Sequence, residues 1–298
     1  MIMARVREGA SRPVRASWLG AVVVCGLVFG AAPAFAQAVC DRAALKAVTE
    51  AYVTAQTTGD TSVIPMNLWV DYQEQMEEAT MATGLISKPQ KIDFHRSLLD
   101  TRSCSSFTEI VITDPAHPYV LGAQVQARGG FVGGMDVLVT DKVNGWLFNP
   151  ANTLKYSQAE NWSEIPEADR DSRETIMAAA NAYLDYFDNK SVVVPWGSPC
   201  ERLEGGAYTG KGGPGVSLPE DSCNVGVPSG VKLINRQYVV DETIGAVTVM
   251  MNFGKNEVPD SHTFRIEHGK IRYVHTITAC KSPNCGFKLP AGQAPPSS

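Results

Sequence analysis

Residues 260–280 read DSHTFRIEHGKIRYVHTITAC, and the fold is organised around this stretch. Two runs in which apolar and polar side chains alternate flank His268-Gly269, a dipeptide whose glycine tolerates the positive φ of a two-residue turn. Such alternation is the pattern of a β-strand that buries one face. The stretch therefore predicts an antiparallel hairpin closed by a tight turn.

The register of this hairpin follows by counting outward from the turn. If every residue is paired, Phe264 faces Tyr273 and His262 faces His275. Because side chains alternate between faces, both histidines then share the apolar face, where an unpaired imidazole is costly. This predicts a functional pair of histidines. The alternatives are a satisfied core pair or an outer, solvated pair, and a one-residue change in the turn would undo the alignment.

An export signal is predicted at the start of the chain. An apolar stretch from Trp18 to about Ala32 follows four arginines, and Ala34-Phe35-Ala36 has the small-x-small form of a cleavage site. A lipid-anchoring motif at Cys40 is the alternative, but Val39 stands where a small residue is needed. We therefore expect the signal peptide to end at Ala36 and the mature protein to be periplasmic or secreted.

The charge balance excludes some classes of partner. Residues 1–36 hold four of the 26 Lys and Arg and one of the 31 Asp and Glu, so 22 basic residues stand against 30 acidic ones in the remainder. Nucleic acids and anionic membrane surfaces both require a basic footprint on the protein. We therefore expect neither as a partner, and the remaining length is enough for two modest domains.

The cysteines indicate disulfides. Seven become six once Cys25 leaves with the signal peptide, and an even number in an exported chain is typical of disulfides, although six cysteines allow many connectivities. Chain order proposes Cys40 with Cys104, Cys200 with Cys223, and Cys280 with Cys285. A zinc site is the alternative, but no Cys-x-x-Cys or close Cys/His spacing is present. A disulfide at the base of the Gly- and Pro-rich loop between Cys200 and Cys223 would hold it as a lid.

The chain also contains an internal repeat. Segments 41–57 and 173–187 both have helical spacing of their apolar residues, and they align Tyr52 with Tyr183. The predicted hairpins of the two halves also match, with Gly130 aligned on Gly269. We conclude that the chain is an internal duplication.

The duplication divides the chain into domains. We expect a first domain at residues 37–150, a linker at 151–172, a second domain at 173–288 and a disordered tail at 289–298. Each copy has helices on one face of a curved antiparallel sheet, which makes the fold class α+β. A curved sheet over a helix leaves a concave pocket.

Two resemblances add to this interpretation. A helix followed by a terminal hairpin of the form x-x-Gly-Lys-Ile-x-x-Val-x-x-Ile resembles the cone-shaped fold shared by nuclear transport factor 2, ketosteroid isomerase, scytalone dehydratase and the SnoaL-type polyketide cyclases. Segments 97–101, 113–119, 202–210 and 259–262 resemble a secreted, duplicated family of uncharacterised proteins that is common in fungi and found in some bacteria. The second resemblance spans nearly the whole mature chain and carries no settled activity.

The superfamily resemblance implies two tandem cone-shaped domains, each with an internal pocket. In that superfamily such pockets are often used for cofactor-free proton transfer on hydrophobic ring compounds, and bacterial lignin diarylpropane lyases that release formaldehyde are of this type. The resemblance thus implies a cofactor-independent lyase or isomerase acting on a hydrophobic, aromatic small molecule. The alternative is a non-catalytic extracytoplasmic protein that binds such molecules.

Proton transfer requires a base, a donor for the developing oxyanion and an apolar chamber. In the second copy His262 or His275 could be the base, Tyr273 the donor, and Asp241 the carboxylate that orients an imidazole. A metal enzyme is a weaker third hypothesis, with Asp260, His262 and His275 as ligands.

Six further residues are candidates for contacts with a substrate. They are Trp196, Arg236 and Phe264 in the second copy and Asp71, His95 and Asp136 in the first. Core packing is an equal alternative for Trp196, and Arg236 could instead pair with Asp100 or Asp241.

The first copy differs from the second at the two histidines. Ala123 and Asp136 stand at the corresponding positions, so the first copy is either structural or uses different residues. We expect no cofactor, a hydrophobic small molecule as the partner, and we leave a homo-oligomer open.

Overall fold

The computed structural model describes residues 40–286. The signal peptide predicted for residues 1–36 and the tail predicted for 289–298 lie outside the described residues.

Three α-helices and twelve β-strands make up the described part of the chain. The helices are α1 (Arg42–Thr58), α2 (Pro150–Ala159) and α3 (Arg173–Asp185). The strands of the first half are β1 (Met66–Glu74), β2 (Glu77–Glu78), β3 (Phe94–Asp100), β4 (Ser105–Ile112), β5 (Tyr119–Arg128) and β6 (Phe131–Thr140). The strands of the second half are β7 (Trp196–Glu204), β8 (Ala207–Tyr208), β9 (Leu233–Asp241), β10 (Ala246–Phe253), β11 (Val258–Glu267) and β12 (Lys270–Thr278).

The strands form two six-stranded sheets with the same order. The first runs β2-β1-β6-β5-β4-β3 and the second β8-β7-β12-β11-β10-β9. The prediction of purely antiparallel sheets is wrong at one pair in each, because β1 lies parallel to β6 and β7 lies parallel to β12. Alternation identifies a strand, but it does not show in which direction a strand from far away in the sequence joins the sheet. The fold is therefore α+β, with two sheet-based domains of mixed strand direction.

The two longer helices form where their sequences predict. The side chain of Asp41 caps α1 by accepting hydrogen bonds from the backbone N–H groups of Ala43 and Ala44. Ser172 caps α3 in the same way, with Thr175 as the donor. Both helices bury one apolar stripe, which includes Tyr52 in α1 and Tyr183 in α3.

Three apolar cores hold these elements together. One lies between α1 and the first sheet, and a second lies between α3 and the second sheet. We call these helix-covered surfaces the inner faces of the sheets. The third core contains Leu98 and Phe107 from the first sheet and Met250 and Ile277 from the second, so the outer faces of the two sheets pack against each other.

The predicted disulfides are confirmed. Cys40 is bonded to Cys104, Cys200 to Cys223, and Cys280 to Cys285. Three disulfides indicate an oxidising, extracytoplasmic environment. None of the helices in residues 40–286 has the length and apolar character needed to span a bilayer.

The segment predicted as a linker is structured. It contains α2, and the residues that follow α2 place Glu160 and Trp162 between the sheets, where the Glu160 side chain is 1% exposed.

Candidate functional site

The hairpin forms as predicted near its turn and departs from the prediction beyond it. His268 and Gly269 both have positive φ, and Glu267 pairs with Lys270 and Ile266 with Ile271. A β-bulge then follows. The next pair is Arg265 with Tyr273, so β11 advances by one residue while β12 advances by two.

The extra residue of this bulge is Arg272, and it overturns the predicted register. His262 pairs with Thr276, and His275 pairs with Thr263. A shift of one residue moves a side chain to the opposite face of the sheet. The predicted pairing of the two histidines is therefore wrong: His262 lies on the inner face, whereas His275 lies on the outer face.

The first hairpin has the same bulge. There Ala127 pairs with Val132 and Gln126 with Gly134, which leaves Gly133 as the extra residue. Counting from the two bulges aligns Ala123 with His262 and Asp136 with His275, as predicted from the sequence.

A cavity of about 430 Å³ opens on the inner face of the second sheet. Its polar lining comes from Glu204, Lys255, Asn256, His262, Thr276 and Thr278, and its apolar lining includes Phe187, Val231, Phe253 and Val258. Between Cys200 and Cys223, where a lid was predicted, only Glu204 of β7 lines this cavity. Gly226, Pro228 and Val231, which also line it, follow the disulfide in the chain.

His262 has a carboxylate beside it. Its Nδ1 lies 2.8 Å from Oδ2 of Asp260, and the two side chains are 3% and 0% exposed. Nδ1 and Oδ2 are at ion-pair distance, but they are not aligned as a hydrogen bond. Neither atom has a hydrogen-bond partner among residues 40–286. Oδ1 of Asp260 accepts a hydrogen bond of 2.6 Å from the Thr278 hydroxyl, which fixes the carboxylate. This arrangement leaves Nε2 of His262 as the ring nitrogen that does not face Asp260.

The packing around the imidazole is aromatic. The rings of Tyr183, Phe187 and Phe264 all lie about 6 Å or less from that of His262. Phe264, predicted as a substrate contact, is fully buried in the core behind the imidazole.

A second carboxylate of the cavity is held by an arginine. Nε of Arg202 lies 3.1 Å from Oε1 of Glu204, and Nη1 of Arg202 donates to the Tyr183 hydroxyl and to the carbonyl of Cys223. Burial raises the pKa of Tyr183 to about 12, although Arg202 opposes this shift. Arg202 therefore balances the charge of Glu204 and anchors the chain beside the cavity.

Four polar residues at the cavity or directly behind its wall distinguish the second copy from the first. Asp260, His262, Thr276 and Thr278 correspond to four apolar residues in the first copy. These are Leu121, Ala123, Val137 and Val139. Leu121, Ala123 and Val137 are buried in the first core. Thr276, Thr278 and Glu204 were not predicted from the sequence, and Asp260 was predicted only as a metal ligand. Comparing every inward position of the two copies would have found Asp260, Thr276 and Thr278, but not Glu204, because Glu74 stands at the corresponding position of the first copy.

His275 belongs to a buried charged network on the outer face. Its Nε2 lies 2.6 Å from Oε2 of Glu160, its Nδ1 lies 3.3 Å from Oε1 of Glu109, and Nη2 of Arg96 lies 2.9 Å from the same Nδ1. Arg96 also pairs with Glu109. Burial lowers the pKa of His275, but the carboxylates of Glu160 and Glu109 outweigh it and raise the pKa to about 9. Burial likewise opposes the effect of Arg96 and His275, which hold the pKa of Glu109 at about 2.

Trp162 covers this network. The guanidinium of Arg96 lies 3.9 Å from the Trp162 ring, and the Trp162 N–H donates to Oε2 of Glu160. Tyr273 stacks on the same indole at 5.6 Å. Tyr273 therefore lies on the outer face, and the predicted role as an oxyanion donor beside His262 is not supported by its position.

Asp241 is engaged elsewhere too. Its carboxylate accepts two hydrogen bonds of 2.9 Å from Arg42 and others from the backbone N–H groups of Leu99 and Thr243. The prediction that it orients an imidazole is wrong, because all of these bonds join it to α1, to β3 or to its own turn.

The remaining candidates of the second copy lie at its surface or in its core. Arg236 pairs with Asp185 and Asn181 of α3 rather than with either predicted aspartate. Trp196 packs edge-on against Tyr183 and Tyr186, as expected if its role is core packing.

The first-copy candidates do not form one site. Asp71 is exposed and accepts a hydrogen bond from Gln73, and His95 is exposed 3.7 Å from Glu50. Burial and the nearby Asp71 carboxylate raise the pKa of Asp136 to about 6, although a backbone hydrogen bond from Met76 opposes them.

The three residues predicted as metal ligands do not lie together. His275 is on the opposite face of the sheet from Asp260 and His262. Within residues 40–286, no three His, Cys, Asp or Glu side chains are grouped so that they could hold a metal ion.

One family model matches the chain. It is described as a domain of unknown function (DUF8021), and it matches residues 169–278. No curated protein matches the chain. The matched range runs from just before α3 to the end of β12 and includes Glu204, Asp260 and His262. Over this range, which is less than half of its length, the chain is similar to that family.

Proposed function

We propose that the second domain binds a hydrophobic, aromatic small molecule in the inner cavity and catalyses proton transfer on it, as a cofactor-independent lyase or isomerase. The observation that carries this proposal is the buried His262–Asp260 pair, of which His262 lines a largely apolar cavity. The first copy has alanine and leucine at these positions. A protein that only binds apolar ligands gains little from a buried imidazole and carboxylate, since their desolvation is costly.

The cavity residues fit the roles that proton transfer requires. His262 is the base, and Asp260 holds its Nδ1 side so that Nε2 accepts the proton. Thr276 replaces Tyr273 as the donor to the developing oxyanion, because Thr276 lines the cavity and its buried hydroxyl has no hydrogen-bond partner in residues 40–286. The apolar wall excludes water, which strengthens each of these interactions.

We also propose the finer assignments of fold and location. The helix on the inner face of each sheet and the shared strand order support membership of the cone-shaped superfamily and of the secreted, duplicated family that the sequence resembles. The disulfides support export, with signal cleavage after Ala36.

The experiment measures exchange of a substrate proton with solvent. Lignin-derived diaryl compounds and polyketide-like phenols are incubated with the protein in D₂O, and deuterium incorporation and product formation are followed by NMR. For a compound that reacts, His262→Ala should lower turnover by roughly 10²-fold to 10⁴-fold with a smaller effect on affinity. Asp260→Asn should lower it in the same direction by a smaller factor.

The matched control is His117→Ala, because His117 is an exposed histidine in a turn of the first domain. Wild-type turnover in His262→Ala would overturn the proposal. Tight binding of the panel without exchange or product would favour the non-catalytic binding protein.

A further inference from the structure

A second cavity of about 280 Å³ lies on the outer face of the second sheet. Its walls include Glu160, Glu201, Tyr208, Ser217, Arg272 and Tyr273. It is separate from the cavity of His262, because Glu201 and Tyr273 point to the opposite face from Glu204 and Val274. None of the residues proposed for proton transfer lines it.

The charges around this cavity are already paired. Glu160 meets His275, Glu201 meets Arg272, and Glu267 meets Arg265. A charged ligand would have to displace one of these partners. The cavity therefore favours a ligand without net charge.

The aromatic rings of the cavity offer their edges rather than their faces. Tyr273 lies between Trp162 and the guanidinium of Arg272, and Tyr208 stacks on Tyr156 at 4.1 Å. These contacts cover ring surface on which a flat apolar ligand would otherwise stack. Tyr208 can contribute its hydroxyl, which lies near two carboxylates: burial and the charges of Glu160 and Glu201 raise its pKa.

The Glu160 carboxylate is engaged by its own chain. Its Oε2 accepts from Trp162 and meets His275, and the Tyr208 hydroxyl hydrogen-bonds to the same carboxylate, which is 1% exposed. A hydroxyl that donates to a carboxylate keeps its own lone pairs as acceptors, so Tyr208 offers an acceptor to a ligand hydroxyl at the cavity wall.

We propose that this outer cavity is a binding site for a neutral, hydroxyl-rich molecule of the size of a monosaccharide. The ligand hydroxyls donate to Tyr208, exchange hydrogen bonds with Ser217, and accept from Arg272 at the rim. The site is independent of proton transfer in the inner cavity.

The test titrates the full-length protein with D-glucose, D-xylose and myo-inositol, with D-glucosamine and D-glucuronate as charged counterparts, by calorimetry and saturation-transfer NMR. We expect at least one neutral probe to bind more tightly than its charged counterparts. Tyr208→Phe and Ser217→Ala should each weaken that binding by about threefold to tenfold, the usual effect of losing one hydrogen bond.

Two controls separate this site from its surroundings. Tyr156→Phe removes a hydroxyl from the ring that stacks on Tyr208 but does not line the cavity, so it should bind as the wild type does. His262→Ala should also leave binding unchanged. Tighter binding of a charged probe, no binding of any neutral probe at millimolar concentration, or equal binding by Tyr208→Phe and wild type would each overturn the proposal.

Discussion

Four inward positions distinguish the second domain from the first. Asp260 and His262 are two residues apart on β11, and Thr276 and Thr278 are two residues apart on β12, so all four share the inner face. The sequence identifies such positions by their spacing, but it cannot show that two neighbouring strands present them to one cavity. His262 was predicted from its residue type, whereas its partner Asp260 was recognised only from their distance.

The charged network around His275 predicts a pH-dependent stability. The pKa of His275 is about 9 when folded, against 6.5 as its ordinary value, so its contribution is fully present below pH 6.5 and is lost as the pH rises through 9. The pKa of Glu109 is about 2, against 4.5, so its contribution is present above pH 4.5 and is lost as the pH falls toward 2. The network therefore stabilises the folded protein most between about pH 4.5 and pH 6.5.

Urea unfolding at several pH values measures this effect. Between pH 6.5 and 9 the wild type should lose on the order of 1 to 3 kcal/mol of unfolding free energy through His275. The variant His275→Gln should be less stable at pH 6 and should lack this loss, while His117→Gln, at an exposed position, should follow the wild type. Identical pH profiles for His275→Gln and wild type would contradict the assignment of the network.

At the scale of the elements, the two hairpins use the same turn and the same bulge. His268 and Gly269 have positive φ, as do Gly129 and Gly130, and the bulge residue is Arg272 in one hairpin and Gly133 in the other. The turn was predictable because glycine marks it. The bulge was not, since only the pairing with the neighbouring strand shows which residue is skipped.

The strained position in the second turn is His268, which has φ of 52° without being glycine. Because a branched Cβ fits this conformation poorly, His268→Val should lower the unfolding free energy by about 1 to 2 kcal/mol. Asparagine adopts it readily, so His268→Asn should keep or slightly raise the stability. Thermal unfolding measures both, and His268 is exposed, so lost packing does not confuse the comparison. Equal midpoints for the two variants would show that the turn does not have this conformation in solution.

At the scale of the whole molecule, the two copies are tied by reciprocal ion pairs. Arg42 at the start of α1 binds Asp241 at the end of β9, and Arg173 at the start of α3 binds Asp100 at the end of β3. These residues occupy corresponding positions in the two copies. Each aspartate also accepts from a backbone N–H of the other copy. The contacts between the two copies are therefore reciprocal, as they are in an isologous interface of a two-fold symmetric dimer.

Breaking either tie should destabilise the whole protein. Both aspartates are fully buried, while the side chain of Arg173 is 16% exposed and that of Arg42 is 35% exposed. Asp100→Asn should therefore cost more than Asp241→Asn, with each on the order of 2 to 4 kcal/mol. Urea unfolding is the measurement, and a single cooperative transition is expected for the wild type. The control is Glu242→Gln, which removes a surface pair with Arg102 and should cost less than about 1 kcal/mol.

A cost for Asp100→Asn no larger than that for Glu242→Gln would contradict this view of the interface. Two separate unfolding transitions in the wild type would contradict it as well, because they would show that the domains unfold independently.

The sequence alone determined the features that rest on local chemistry and on the order of segments along the chain. Helices α1 and α3 and the turn at Gly269 follow from spacing, capping residues and residue type within short segments. The α+β class and the duplication follow from comparing such segments, and the disulfide pairs follow the order of the cysteines, although Cys40 and Cys104 are 64 residues apart.

Only the tertiary structure decided which side chains meet. The skipped residue Arg272 separates His262 from His275, and the packing of the outer faces brings Arg96 to His275 and Arg42 to Asp241. The parallel entry of β1 and β7 was also decided at this level. The physical reason is that register, strand direction and ion-pair partners depend on the energy of contacts between residues far apart in the chain. The alternation of side chains along one strand does not specify those contacts.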